Sequence, residues 1–310
     1  MQFLTGTPNF NFVKYRRVAM FASTVLSLIA LVTIVYPGLN YGLDFTGGIV
    51  VEAQYTRTPE LDSIRDGLTQ AGFESAQVQN FGSGFDVLIR LPPTDEAESM
   101  TAVQERVLRV LRAQGDDVTI LRLESVGSQV GADLAEQGAL AMLFALIMVF
   151  VYVMLRFRWK LAVGAIVATV HDVLVTTGVF AVMGWPFDLT VLGSILAVLG
   201  YSINDTIVVY DRIRDNFRLM RRGTAETIVN ASVNQTLART LVTGVTSLLV
   251  LFALMLIGGD TLWGFAVALI IGILVGTYSS IYIASSMALA LKVSPADFTV
   301  TKQERVDELP

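Results

Sequence analysis

The chain has 310 residues, 53% of them hydrophobic and only 16% charged, with a formal net charge of -5. A soluble domain carries roughly 25% charged residues, so this composition points to lipid. Cysteine is absent and histidine occurs once, which excludes disulfides, thiolate metal sites, a cysteine nucleophile and a multi-histidine metal centre.

The first apolar run covers 17–36 and follows the basic residues Lys14, Arg16 and Arg17. A signal peptide has an apolar core of about 7–15 residues closed by small residues. This run is longer and ends Tyr36-Pro37-Gly38, so it reads as a retained first span after a cytoplasmic segment 1–16.

Residues 37–130 read as a folded external domain. Between 39 and 128 there are fourteen Asp and Glu against seven Arg and no Lys, a balance that suits a domain exported across the membrane. Gly48–Tyr55 alternates and is β-branched, as a strand requires. Residues 59–71 place Leu61, Ile64 and Leu68 at helical spacing behind Pro59. Residues 76–81 and 85–91 read as a hairpin around Gly82-Ser83-Gly84. A second helix over 96–113 turns Val103, Val107, Val110 and Leu111 inward, and 118–126 is the last strand. The order β-α-β-β-α-β is that of an α+β ferredoxin-like sandwich.

Five further apolar runs, 133–155, 161–183, 189–210, 236–258 and 262–291, lie within 131–292 and complete six transmembrane helices. Arg156, Arg158 and Lys160 separate the second and third. Arg212, Arg214, Arg218, Arg221 and Arg222 separate the fourth and fifth, and the short loops 184–188 and 258–261 carry no Lys or Arg. The positive-inside rule then places both termini and both basic loops in the cytoplasm and the acidic domain outside. Residues 293–310 read as a polar, disordered cytoplasmic tail.

An ionisable group inside a span costs about 2.5–3.5 kcal/mol on insertion scales and asks for an explanation. Span three carries His171 and Asp172, span four Asp205, and span five Arg239 near its cytoplasmic start. Asp205 and Arg239 lie at similar depth on consecutive spans. Ser194, Val198, Tyr201 and Asp205 mark one inward face of span four. Two readings follow: a static ion pair, or a carboxylate that takes and releases a proton beside a tuning arginine. Arg239 has a third, snorkelling to the headgroups. Ser202, Asn204, Thr206 and Thr240 supply hydrogen bonds in either case. His171 and Asp172 read equally as a buried polar cluster or as part of a proton path. Gly264, Ala268, Gly272, Gly276, Ser280 and Ala284 recur every four residues, a close-packing face without an assigned partner. No Walker A sequence and no serine-histidine-acid arrangement is visible, so an enzyme is not expected. The basic loops are explained by topology rather than by nucleic acid.

Several segments resemble one family. Tyr41-Gly-Leu-Asp-Phe-Thr-Gly-Gly48, which contains Gly42, Asp44, Gly47 and Gly48, looks like a signature that follows the first span. Val126–Leu134 is similar to a motif leading into the second span, with Ser128 where proline is frequent, and His171-Asp172 matches a family pair. The strongest match is Gly200–Asn216, which includes Asp211 and Arg212, followed by Gln235–Thr240. Through these the chain resembles the SecF members of the SecD/SecF family of protein-export membrane proteins, in the RND superfamily. The resemblance implies an RND-type half bundle completed by SecD in the bacterial cytoplasmic (inner) membrane. It also implies work with the SecYEG channel, SecA, YajC and YidC on a translocating preprotein, driven by the proton motive force. Proton transport would fall on Asp205 and Arg239. No cofactor is expected, and the coupling ion is the proton, with sodium the alternative. Two other readings stand beside it: a subunit of an RND-type permease for small molecules or lipids, and a non-conducting scaffold of the translocon.

Overall fold

The computed structural model describes residues 8–73, 76–81, 83–92, 100–113, 117–220 and 223–298. Among these, six helices are long and apolar enough to cross a membrane, with mean hydropathies of 1.5 to 2.6. The chain divides into two compact units. One comprises Met1–Leu39, Met142–Trp185 and Gly193–Pro310, and the other Asn40–Ala141 and Pro186–Leu192.

The second unit begins with β1 (Asn40–Tyr41) and a single helical turn, α2 (Leu43–Thr46). Then follow β2 (Gly48–Tyr55), α3 (Leu61–Gln70), β3 (Gln77–Phe81), β4 (Ser83–Leu91), α4 (Met100–Arg112) and β5 (Val118–Val126). The last four strands form one antiparallel sheet in the order β3-β4-β2-β5. Alternation dictates its buried face: Ile49, Val51, Ala53 and Tyr55 of β2 and Val87, Ile89 and Leu91 of β4 point one way. They meet Ile64 and Leu68 of α3 and Val103, Val107 and Leu111 of α4, all fully buried. Val110, expected inward, is only half-buried. Gly82 and the start of the expected second helix, 96–99, lie outside the described residues.

The segment 40–48 is held by a small parallel pairing of Asn40 and Tyr41 with Pro186 and Phe187 of β6 (Pro186–Phe187). Asp44 Oδ2 accepts from Leu189 N at 2.9 Å, at the N-terminus of α7 (Leu189–Leu219), where the helix dipole favours a carboxylate. Arg90 of β4 donates to Asn40 Oδ1 at 3.0 Å. Burial pulls Arg90 below the ordinary guanidinium value, and the nearby Asp188 carboxylate pushes back. Gly47 and Gly48 have φ of +67° and +113°, and a Cβ on Gly47 would lie 2.8 Å from the Ser128 Cα. A side chain is excluded there by both conformation and space.

The other unit holds α1 (Arg16–Val35) and the second half of α5 (Ser128–Arg156), followed by α6 (Trp159–Met183). It continues with most of α7, then α8 (Ala225–Ile257) and α9 (Gly259–Ser279). α9 runs through a π-helical turn, Ser280–Ala284, into α10 (Ser285–Ala290), and the three make one span.

Two expectations need correction. First, α7 runs nine residues beyond its apolar stretch and α8 begins eleven before its own. Arg212, Arg214 and Arg218 therefore sit on helix, not in a loop. Ile213 and Phe217 of α7 and Ile228, Val229 and Val233 of α8 keep helical spacing and bury against one core, which carries the helices past their lipid-soluble segments. Arg221 and Arg222 lie outside the described residues. Second, the start of the tail is packed. Val293 and Phe298 are buried, Phe298 stacks on Phe217, and Lys160 pairs with Asp297 at 2.8 Å. Residues 299–310 lie outside the described residues. The small-residue face of the last span, which the sequence leaves without an assigned partner, has its partner in this chain. A Cβ on Gly272 would collide with the Val198 side chain, and one on Gly276 would lie 3.2 Å from Ser202 Cβ, both on α7.

Candidate functional site: a buried carboxylate cluster

Span four turns its polar stripe inward as its spacing requires. Ser194, Val198 and Asp205 are buried and Tyr201 is half-buried. Asp205 accepts from Thr240 Oγ1 of α8 at 2.6 Å and from Ser280 Oγ of the π-turn at 2.6 Å. Asp172 of α6 is fully buried. Its Oδ2 accepts from Ser202 of α7 and, at 2.7 Å, from Ser279 Oγ, while Oδ1 lies 3.0 Å from His171 Nδ1. The two carboxylates thus belong to one cluster. Ser279 and Ser280 are neighbours in the last span, and Ser202 lies one helical turn before Asp205.

Among the described residues no Lys or Arg bonds to either carboxylate. Asp205 and Arg239 form no ion pair, although the Arg239 charge lies near enough to act on the carboxylate, and Arg239 is exposed on α8. The reason is helical geometry: successive residues point about 100° apart, so a helix that aims Thr240 at Asp205 aims Arg239 elsewhere. Asn204 is exposed for the same reason. Thr206 is fully buried, yet its hydroxyl has no partner among the described residues. Of the expected polar set, His171, Asp172, Ser202, Asp205 and Thr240 come into hydrogen-bond contact, Arg239 acts on Asp205 through its charge alone, and Asn204 and Thr206 make no bond in the cluster.

The sequence reading missed Ser279 and Ser280, the second of which it counted only as a packing residue. Their place is marked by the π-turn, whose i→i+5 pattern recurs at functional sites. A backbone carbonyl in this turn is satisfied from outside the helix, since the fully buried Tyr210 donates to Ala284 O at 3.0 Å.

Further along α7 and α8 the motif residues pair in antiparallel register. Arg212 Nε donates to Gln235 Oε1 at 2.6 Å, and Asn216 Nδ2 to Gln235 Oε1 at 2.9 Å and Ser232 Oγ at 2.8 Å. Asp211 takes Arg156 and Arg214, each at 3.0 Å. The two strongest sequence motifs are therefore two sides of one helix pair, with Asp205 and Thr240 at its inner end.

Comparison with known proteins gives the family. The family described as protein export membrane protein SecD/SecF, C-terminal, matches residues 106–294, and the SecD/SecF GG motif matches 37–59. The chain is 42% identical to a protein translocase subunit SecF of Vibrio alginolyticus, over 100% of this chain and 99% of that one. It is 42% identical to another of Escherichia coli O157:H7, over 97% and 93%. Among solved structures it resembles SecDF of Thermus thermophilus, a translocon-associated membrane protein, with a TM-score of 0.82 and 36% identity. That likeness covers 91% of this chain but only 38% of the SecDF chain. The chain belongs to the SecD/SecF family of protein-export membrane proteins and is a multi-pass membrane protein.

Proposed function

We propose that the chain is an accessory subunit of the Sec protein translocase in the bacterial cytoplasmic membrane. With a SecD-type partner it uses the proton motive force to promote late steps of preprotein export. One observation carries the proton part: Asp172 and Asp205 are buried in an apolar bundle and hydrogen-bonded by hydroxyls and an imidazole, with no Lys or Arg bonded to either among the described residues and Arg239 acting on Asp205 only through its charge. A static structural pair would put a cation there, because a lone ionised carboxylate in a membrane is expensive. Taking up a proton removes that cost.

Hydroxyl partners suit both states. Ser280 Oγ is 2.6 Å from Asp205 Oδ2 and 3.0 Å from Thr277 O, and Ser279 Oγ is 2.7 Å from Asp172 Oδ2 and 3.1 Å from Gly276 O. Each serine has one proton for two acceptors. Facing an ionised carboxylate it donates to the carboxylate. Facing a protonated one it accepts, and its own proton turns to the helix carbonyl. Proton uptake thus rewires the hydrogen bonds of the last span beside its π-turn, where the backbone already departs from α-helix. The proton is the coupling ion in this reading and sodium its competitor, no cofactor takes part, and the role is transport rather than enzymatic.

The 40–141 unit is the external, ferredoxin-like domain. Its support is the order β-α-β-β-α-β, the sheet order β3-β4-β2-β5 and the acidic, lysine-free composition. The basic residues Arg156, Arg158, Lys160, Arg212, Arg214 and Arg218 argue for a cytoplasmic face at the opposite ends of the spans, and with it for cytoplasmic termini. The solved SecDF chain is much longer than this one, which supports a SecD-type second half as partner. SecYEG, SecA, YajC, YidC and the preprotein complete the set.

The test is Asp205→Asn in membrane vesicles with an imposed proton gradient. Proton flux and export of a secreted preprotein should both be lost. Wild-type levels of both would return the cluster to a structural role.

A further inference from the structure

The carboxylate cluster has a neighbour that the proton reading of Asp205 leaves unused. An open crevice of about 290 Å³ lies beside α1 and α6. Apolar side chains such as Met20, Val170 and Leu174 form most of its wall. Into the same crevice α1 turns Ser23, Thr24 and Ser27, and α6 turns His171. Ser23 and Ser27 are one helical turn apart, so the hydroxyls form a stripe facing α6.

His171 is only 5% exposed. Its Nδ1 lies 3.0 Å from Asp172 Oδ1, and its Nε2 has no hydrogen-bond partner among the described residues. While Asp172 is ionised it only accepts, so in that state Nδ1 carries the proton and Nε2 is left as a bare acceptor. A buried acceptor of this kind is rare in a native interior and asks for a ligand that brings a proton. The groups that face the ring are few. Asp172 lies on its own helix, and Tyr278 of α9 lies with ring centroids 6.4 Å apart. α1 brings only Met20 and hydroxyls, and the π-turn brings Ile283.

We infer that His171 is the port through which protons enter the carboxylate cluster from water in this crevice. A hydronium ion gives its proton to Nε2 and leaves as water. The imidazolium then passes its Nδ1 proton to Asp172 Oδ1. One proton has moved, no electrons have changed hands, and the ring is left as the Nε2–H tautomer. The inference rests on the reading of the cluster as a proton carrier, and it adds the entry side and the residue that serves it.

The single histidine makes the test clean. The full-length chain, labelled with ¹⁵N-histidine and placed in lipid nanodiscs, gives one imidazole to follow. Nε2 should exchange with D₂O, and its resonance should move from the acceptor to the protonated position as bulk pH falls. Ser27→Leu, which fills the crevice without touching Asp172, should abolish that exchange. In vesicles with an imposed gradient, His171→Gln should lower proton flux by at least about tenfold. An Nε2 that neither exchanges nor follows bulk pH would overturn the proposal, as would undiminished flux in His171→Gln alongside lost flux in Asp205→Asn. Flux that survives Asp205→Asn removes the carrier reading alone, because the nitrogen signal of the wild-type chain decides the entry role independently.

Discussion

At the scale of single residues, the cluster is defined by which donors reach a carboxylate. Asp205 has two, Thr240 and Ser280, and both lie far from it in sequence. Thr240→Val keeps the shape and removes one donor. It should lower stability by about 1–3 kcal/mol when the carboxylate is ionised, because an acceptor is stranded in the core. Arg239→Gln alters an exposed position and should stay within about 0.5 kcal/mol. Thermal unfolding of the two variants in detergent separates the cases, and equal losses would restore an Asp205–Arg239 bond. The sequence made the cost of Asp205 legible, since an acid in an apolar run is conspicuous. It made only some of the partners legible. Thr240 and Ser202 were expected as hydrogen-bond donors, but Ser279 and Ser280 were not, because serine is ordinary in a span, and depth matching alone put Arg239 beside Asp205 although one residue on a helix changes the direction of a side chain by about 100°.

Among elements, the contact of α7 with the last span is set by the absence of side chains. Gly272 admits Val198 so closely that even a methyl group collides. Gly272→Ala should cost about 1–3 kcal/mol through overpacking. The double variant with Val198→Ala should recover part of the loss, and a double-mutant cycle on unfolding free energies reads the coupling. The helix ends that carry the basic residues depend on charge as well. Burial by itself raises the Asp297 carboxyl, but hydrogen bonds from Lys160 and Ser294 outweigh it and hold the group below the usual carboxylate range. A depressed carboxyl contributes stability that is fully present above its unfolded value of about 3.9. That stability is lost as pH falls through the lower folded value. Protection of 293–298 in hydrogen exchange should therefore persist at neutral pH and fall in acid, and Asp297→Asn should remove about 1 kcal/mol of it at pH 7. The sequence misjudged these ends for one reason. Hydropathy sees where lipid begins, whereas α7 and α8 continue for as long as residues such as Ile213, Phe217, Ile228 and Val233 find each other.

For the whole molecule, six spans and a β-α-β-β-α-β insert were legible because both rest on local periodicity, apolar runs in one case and alternation in the other. Strand order and helix pairing are long-range, and only the three-dimensional arrangement shows them. That arrangement is uneven. α6, α7 and the last span bury more than half of their apolar window, whereas α1, α5 and α8 bury less than a fifth. Lipid accounts for bare Leu and Val, such as Leu241, Val245 and Leu249 on α8. It does not account for an exposed Arg239 within a span, which pure hydrocarbon would penalise. A partner half seated on this side would give the guanidinium protein or water for company. The chain has no cysteine, so Arg239→Cys creates a single thiol. In the chain purified alone that thiol should react readily with a maleimide, and in the complex with a SecD-type partner it should be protected. Equal reactivity in both would place the partner on another face and leave Arg239 to snorkel toward the headgroups.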